Sequence, residues 1–395
     1  MNISSLINKI GYHFGRIFFG KIFKQIKIKN NYIVFESEGD FCDNCRALYE
    51  YMIKNNYNET YKLIWKVKDP KKYNKEKNVV FITSNKGIIS SIKFFYYISV
   101  SGYFFFTHPY WLVDIKEDRK VVKRKNQKII NLWHGIPIKN ASKSNLSNAF
   151  DYILCSSENT KEWFNKFCGA DKAQDIVLGS PRNDLLFEEN DSLRKLLNGQ
   201  SYSKVILCMP TYKQAKYWTD SEKIIPYCIQ GIYTKEELNS LNTYLQNLNI
   251  MFIVKIHHLQ DTKFLSEVNL SNIMYVKDEQ LLNLDIQLYH LLGQADALLT
   301  DYSSVYLDYI LLDRPIGFLL EDIEDYLKGR GFLFDNPLDF MPGEKIYTYQ
   351  DLITFINHVS EGVDDYKEER KEVRDYTNKY QDGNNCKRLL EFLGL

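Results

Sequence analysis

Two serines, Ser303 and Ser304, follow a short apolar run, Ala297-Leu298-Leu299, and precede a helical pattern from Val305 to Leu312 that Arg314-Pro315 stops. A strand, a turn of small hydroxyl residues and a helix start make a ready anion site. The first backbone N–H groups of a helix lack intrahelical partners, and the helix dipole favours negative charge there. Thr300, Ser303 and Ser304 add hydroxyls at that place. Asp301, a carboxylate that phosphate would repel, suits anchoring of the turn. Asp308 lies about one helical turn beyond Ser304 and could orient a serine or receive a cation. A plain N-cap accounts for such a segment standing alone.

It does not stand alone. The strand-like run Ile129 to Leu132 ends in Trp133-His134-Gly135, where Gly135 allows a tight turn that would hold His134 at the carboxyl end of a strand. Open α/β sheets bind their ligands at such ends. Met251 to Ile256 ends in His257-His258, Ile176 to Leu178 in Gly179-Ser180-Pro181-Arg182, and Val205 to Met209 in Pro210-Thr211-Tyr212-Lys213. Five strand ends therefore carry His, Arg, Lys, Thr or Ser. Together they read as one cleft that binds a phosphorylated ligand.

These pieces, in this order, resemble the CDP-glycerol glycerophosphotransferases, which build teichoic-acid and capsule polymers. The resemblance rests on Trp133-His134-Gly135-Ile136-Pro137-Ile138-Lys139, Gly179-Ser180-Pro181-Arg182-Asn183-Asp184, Pro210-Thr211-Tyr212, Lys255-Ile256-His257, and Thr300-Asp301-Tyr302-Ser303-Ser304 with Asp308 and Pro315. Weaker matches flank them, from Glu36-Ser37-Glu38-Gly39 to Asp382-Gly383. His258 departs from the family's proline, Lys213 from its frequent arginine and Cys45 from its frequent proline. The resemblance implies a GT-B-like α/β fold of two Rossmann-like domains with a cleft between them. It also implies transfer of glycerol phosphate from CDP-glycerol to a hydroxyl, with the motif histidines functional and the Thr-Asp-Tyr-Ser-Ser loop holding donor phosphate.

On that basis the catalytic candidates are His134, as the base that takes the acceptor proton, and His257, which would stabilise the transferred phosphate or departing CMP. His258 points to the opposite face if its strand continues. Donor-phosphate candidates are Arg182, Thr211, Lys213, Thr300, Ser303, Ser304 and Asp308, with Gly135, Gly179 and Asp301 shaping the turns. The bidentate fork of Arg182 suits phosphate, and the bland alternative is an ion pair with Asp184. No His/Asp cluster demands a metal, so no cofactor is required, while magnesium carried by a nucleoside diphosphate is compatible. CDP-ribitol shares the donor diphosphate, and no residue reads polyol length. A GT-B glycosyltransferase using a nucleotide sugar and a non-catalytic scaffold are the other readings.

The chain has 395 residues, 45% hydrophobic and 26% charged, with a net charge of +1. That length suits two domains, and that charge excludes a global basic field for nucleic acid. The cysteines number seven and are scattered, and Cys42-x-x-Cys45 lacks the further ligands a zinc site needs. No apolar stretch is long enough to cross a bilayer. Residues 1–30 carry Lys9, Arg16, Lys21, Lys24, Lys27 and Lys29 without an acid, and apolar residues recur there near helical spacing. This pattern predicts a basic amphipathic helix on an anionic membrane surface, hence a peripheral protein at the cytoplasmic face of a bacterial membrane.

Placing the site requires alternating elements. Strands are expected at 32–36, 62–66, 79–82, 103–107, 129–133, 152–155 and 175–178, with helices such as 43–55 and 159–167 between them. After a polar linker near 188–203, strands are expected at 204–208, 251–255, 273–276, 296–300 and 316–319, with helices near 234–247, 285–293 and 304–312. The domains are thus 1–30, the basic helix; 31–190, on the acceptor side; and 200–395, on the CDP-donor side, with a C-terminal helix returning to the first.

Overall fold

The computed structural model describes residues 22–23, 25–74, 76–83, 87–108, 113–114, 119–120, 124–140, 150–168, 174–211, 225–256, 263–266 and 268–395. Residues 1–21, which carry most of the expected basic helix, lie outside these, as do Lys213, His257 and His258.

The first seven strands are β1 (Lys29–Glu36), β2 (Lys62–Lys66), β3 (Val79–Ile82), β4 (Ser101–Phe106), β5 (Lys128–Asn131), β6 (Tyr152–Cys155) and β7 (Gln174–Val177). They form one sheet in the order β3-β2-β1-β4-β5-β6-β7, every pairing parallel. The second sheet holds β8 (Lys204–Met209), β9 (Ile250–Lys255), β10 (Ile273–Val276), β11 (Ala297–Thr300), β12 (Ile316–Leu319) and β13 (Glu344–Ile346). Its order is β10-β9-β8-β11-β12-β13, again all parallel. Both are doubly wound Rossmann-like sheets, and strand order reverses between β1 and β4 in one and between β8 and β11 in the other. Those reversals open the crevices where ligands bind.

The apolar strand runs reflect burial on both faces. Alternate residues of β1 separate cleanly: Ile33 and Phe35 join one cluster with Leu48 and Met52 of helix α1 (Asp43–Lys54), while Val34 joins another with Phe104 and Ile129. Strand β9 does the same, with Met251 and Ile253 on one face and Phe252 and Val254 on the other. One core is continuous between the lobes, reaching from Val34 and Trp133 to Tyr289, Tyr302 and Leu307.

Between β1 and the second sheet lie helices α2 (Ile88–Val100), α3 (Lys161–Cys168) and α4 (Ser192–Leu196). A 3₁₀ segment, Pro181–Phe187, leads from β7 toward the second lobe. The second lobe adds α5 (Lys235–Asn247), α6 (Asp278–Asn283), α7 (Leu288–Gln294), α8 (Tyr306–Tyr309), α9 (Ile323–Gly329), α10 (Tyr349–Glu361) and α11 (Lys367–Thr377). Capping boxes start α5 at Thr234/Glu237 and α10 at Thr348/Asp351. The last helix, α12 (Asn385–Leu393), returns to the first lobe: Leu389, Leu390 and Leu393 share the cluster of Ile33, Phe35 and Leu48. Asp184 accepts from the backbone N–H groups of Asn385 and Cys386, each at 2.8 Å, and fixes that return.

Three expectations shift. The helix expected at 304–312 is α8 followed by a 3₁₀ turn, Ile310–Leu312, which ends where Asp313 turns left-handed at φ +49° ahead of Pro315. The helix expected from 285 begins at Leu288, after Asp285 turns left-handed at φ +54°. The polar linker contains the short helix α4.

Candidate functional site

The site begins at β5. Its last residue, Asn131, accepts the Trp133 N–H at 2.9 Å through its side-chain oxygen. Trp133 itself sits at φ +54°, a left-handed conformation that costs a bulky residue about 1–2 kcal/mol. Asn44, fully buried on α1, compensates. Its Nδ2 donates to the carbonyls of Leu132 (3.1 Å) and Trp133 (2.9 Å), while its Oδ1 accepts the Arg182 backbone N–H at 2.9 Å. The kinked turn that follows β5 is therefore tied to both α1 and the 3₁₀ segment.

This kink presents His134 with its ring 4.4 Å from that of Trp133 and 4.1 Å from that of His108, the two imidazoles nearly parallel at 16°. Nδ1 of His134 is buried without a hydrogen-bond partner. Burial, then the neighbouring His108 and Arg182, push its pKa down to about 3; Glu38 and the Thr107 backbone oppose them. The ring is thus neutral at physiological pH and can accept a proton. At the end of β1, Glu36 pairs with Lys66. Burial pushes its carboxyl up to about 7 despite that lysine.

Gly135 follows at φ +123°, and a β-carbon there would lie 2.7 Å from Nη2 of Arg182 and 3.1 Å from the Ser304 hydroxyl. The turns after β5 and β11 and the 3₁₀ segment thus meet at one point. Around it Lys139 Nζ donates to the Thr211 hydroxyl at 3.3 Å, and the Leu333 N–H donates to the Ile138 carbonyl at 2.9 Å.

Arg182 is at this junction, as the sequence suggests, but its partners are not those expected. Nη1 donates to Asp43 and Nη2 to Asp308, both at 2.7 Å, and the guanidinium lies 4.6 Å from the Tyr289 ring centre. Burial works against its charge, but Asp43, Tyr289 and Asp308 outweigh it and hold its pKa well above the usual value. Asp184 is not the ion partner, because it is spent on the start of α12. Asp308 is wholly buried and accepts from Arg182, Asn183 (3.0 Å) and the Tyr289 hydroxyl (2.5 Å). It holds the arginine rather than facing a ligand.

Thr300 is also corrected: it is fully buried and donates to the Met209 carbonyl at 2.8 Å, tying β11 to β8. Asp301 anchors the turn, accepting the Thr211 N–H on both oxygens (3.0 and 2.9 Å) and its hydroxyl at 2.6 Å. Thr211 is therefore committed through its hydroxyl. Ser303 and Ser304 remain partly exposed, with neither hydroxyl bonded among the described residues. Gly179, at φ +79°, packs against the Asn385 side chain, so it serves the docking of α12. Lys213 and His257 lie outside the described residues.

Sequence reasoning placed Asp43-Asn44 only within a weak family match, without a role, and passed over His108 and Tyr289. The available signal was a polar pair, Asp43-Asn44, opening a helix whose next turn carries a buried arginine, Arg46. Among the described residues, no group of three or more His, Cys, Asp or Glu side chains is placed to hold a metal ion.

A sequence model of the CDP-glycerol:poly(glycerophosphate) glycerophosphotransferase family matches residues 17–394. A teichoic acid poly(glycerol phosphate) polymerase of Staphylococcus epidermidis is 29% identical over 359 residues, covering 82% of this chain and 45% of its own. A teichoic acid glycerol-phosphate primase of Bacillus subtilis is 30% identical over 293 residues, 69% of each. The chain thus spans less than half the length of the first relative. The solved wall teichoic acid polymerase TagF superposes with a TM-score of 0.77 at 22% identity, covering 100% of this chain and 98% of that one, which establishes the shared fold.

Proposed function

The chain belongs to the CDP-glycerol:poly(glycerophosphate) glycerophosphotransferase family, and on that premise we propose that it moves glycerol phosphate from CDP-glycerol to a hydroxyl of a membrane-linked or capsular polyol-phosphate or glycan acceptor, releasing CMP. The observation that carries this reading is the meeting of Gly135, Arg182 and Ser304 beside His134. A neutral imidazole from one sheet and the uncommitted Ser304 hydroxyl from the other meet at one crevice.

In this reading the acceptor oxygen attacks the glycerol-bearing phosphorus and His134 takes its proton. The new P–O bond forms as the bond to the bridging diphosphate oxygen breaks, and that electron pair leaves with CMP. Ser303 and Ser304 donate to the donor phosphates, and Arg182, held by Asp43 and Asp308, shapes the crevice against Gly135. The diphosphate brings negative charge next to His134, which raises the basicity of the ring as the complex forms. His257 and Lys213 keep their roles as the donor-side cation and phosphate ligand.

Membrane contact is part of the proposal. Ile88 and Ile89 at the start of α2 are 65% and 74% exposed, and Ile22 is 46% exposed. Phe23 packs edge-on against Tyr96 of α2, which brings the end of the basic segment to that same helix. Among the described residues no helix is long and apolar enough to cross a membrane, so a surface-lying mode fits.

The deciding experiment is CMP release by the purified protein. It is offered CDP-glycerol, CDP-ribitol or a nucleotide sugar, each with a lipid-linked or oligomeric polyol-phosphate acceptor. Acceptor-dependent CMP from CDP-glycerol, lost in His134→Ala, is the expected result. Turnover of a nucleotide sugar alone would move the chain to the glycosyltransferases, and turnover of CDP-ribitol alone would change the donor.

A further inference from the structure

Strands β1 and β4 are neighbours at the point where the first sheet reverses its order. Their carboxyl ends carry Glu38 and His108. The Glu38 N–H donates to the Thr107 hydroxyl at 3.1 Å, which pins the two ends together. Glu38 Oε2 lies 2.6 Å from His108 Nε2, and the His108 side chain is only 15% exposed. Its ring is stacked face to face on His134, with Trp133 also against the His134 ring.

The geometry points to His108, anchored by Glu38, as a positioning residue for the reaction proposed above: it fixes the plane of the His134 ring. The inference rests on the reading of His134 as the base. Two imidazoles 4.1 Å apart cannot both hold a proton cheaply. The carboxylate of Glu38 sits on His108, and Nδ1 of His134 is left without a hydrogen-bond partner.

The charged groups around the pair agree. Glu38 and Glu36 at the end of β1 both interact with it, the first most closely with His108. Arg182, from the 3₁₀ segment, adds positive charge on the side of His134. After burial, His108 is the largest influence keeping His134 unprotonated. A ring held against both His108 and Trp133 also loses little orientation when an acceptor hydroxyl arrives.

The test uses the whole chain and two independent readouts. His108→Phe keeps a flat aromatic face and removes the charge. Histidine ring resonances followed by NMR across pH, tractable with seven histidines, should show the His134 midpoint rising by about one pH unit. The acid limb of kcat/KM for CMP release should move in the same direction, with kcat within about tenfold of wild type. Glu38→Gln keeps both rings but removes the carboxylate that favours protonation of His134, so the midpoint should move the opposite way, downward, and it serves if His108→Phe does not fold. His108→Ala, which opens the stack, should lower kcat by about 10- to 100-fold while donor KM changes little. A midpoint and acid limb unmoved in both His108→Phe and Glu38→Gln would overturn the proposal. Full CMP release by His134→Ala would instead overturn the base reading, and the NMR midpoints of the resting protein do not depend on that outcome.

Discussion

Arg182 lies directly against the backbone of Gly135, with Nη2 2.7 Å from where a β-carbon would stand. The Ser304 hydroxyl closes the other side at 3.1 Å, and φ there is +123°. Gly135→Ala must therefore both strain the backbone and push the arginine or the serine away. We expect a stability loss of about 1–3 kcal/mol by denaturant unfolding, with CMP release reduced more than tenfold. An alanine variant with wild-type turnover would show that the contact does not shape the crevice.

The Asp43–Arg182–Asp308 set is a buried arginine between two carboxylates. Arg182→Met leaves both carboxylates without their cation and should cost about 3–5 kcal/mol. Asp308→Asn should cost less, because Asp43 still neutralises the guanidinium. The double variant should recover part of the Arg182→Met loss. Strict additivity in the double-mutant cycle would mean that the two side chains are not coupled.

Ser303 and Ser304 make no internal side-chain hydrogen bond among the described residues. Replacing both by alanine should leave the unfolding midpoint within experimental scatter. Affinity for CDP-glycerol, measured by calorimetry, should fall by about tenfold or more, since each lost bond to a charged phosphate matters by about 1.5–3 kcal/mol. Unchanged donor affinity would remove these serines from the phosphate site.

Acid stability offers a test of the buried groups by opposite slopes. The Glu36 carboxyl is raised to about 7, so its contribution is fullest below about 4.5 and is lost as pH rises through 7. His134 is lowered to about 3, so its contribution is present above about 6.5 and is lost as pH falls toward 3. Between pH 4.5 and 6.5 the two effects oppose each other. Glu36→Gln should leave a stability that rises with pH across that window, and His134→Asn one that falls. Identical slopes in both variants would contradict the assignments.

Ile88 and Ile89 lead α2 with most of their side chains in water. If this edge meets a bilayer, Ile88→Ser with Ile89→Ser should reduce sedimentation with anionic phospholipid vesicles several-fold. Neutral vesicles should bind the wild type more weakly than anionic ones. Equal binding to both, unaffected by the serines, would place membrane contact elsewhere.

The strands were largely legible because a parallel sheet covered on both faces writes itself as an apolar run, as in Met251 to Val254. Strand β13 was not, since in Glu344–Ile346 only Ile346 is apolar. Helix α10 was also passed over, although Thr348 and Asp351 form a capping box at its start. At the site, strand-end logic pointed to His134, Gly135 and Ser304, and the structure sets Gly135 against Ser304. It misjudged Thr300 and Asp308, because nearness in sequence to the serines does not say which way a side chain points: both turn into the core. The roles of Asn44 and His108 were invisible for a different reason. Their partners, Trp133 and His134, are distant in sequence, and spacing carries no information about such pairs.

The chain passes between the lobes twice. It leaves the first through Pro181–Phe187 and comes back after α11, where the Lys379 N–H donates to the Ser156 carbonyl and α12 docks. Two covalent crossings limit how far the lobes can part, and the core they share, from Trp133 to Tyr302, adds to that restraint, so the crevice is held at a width set by packing as much as by the chain.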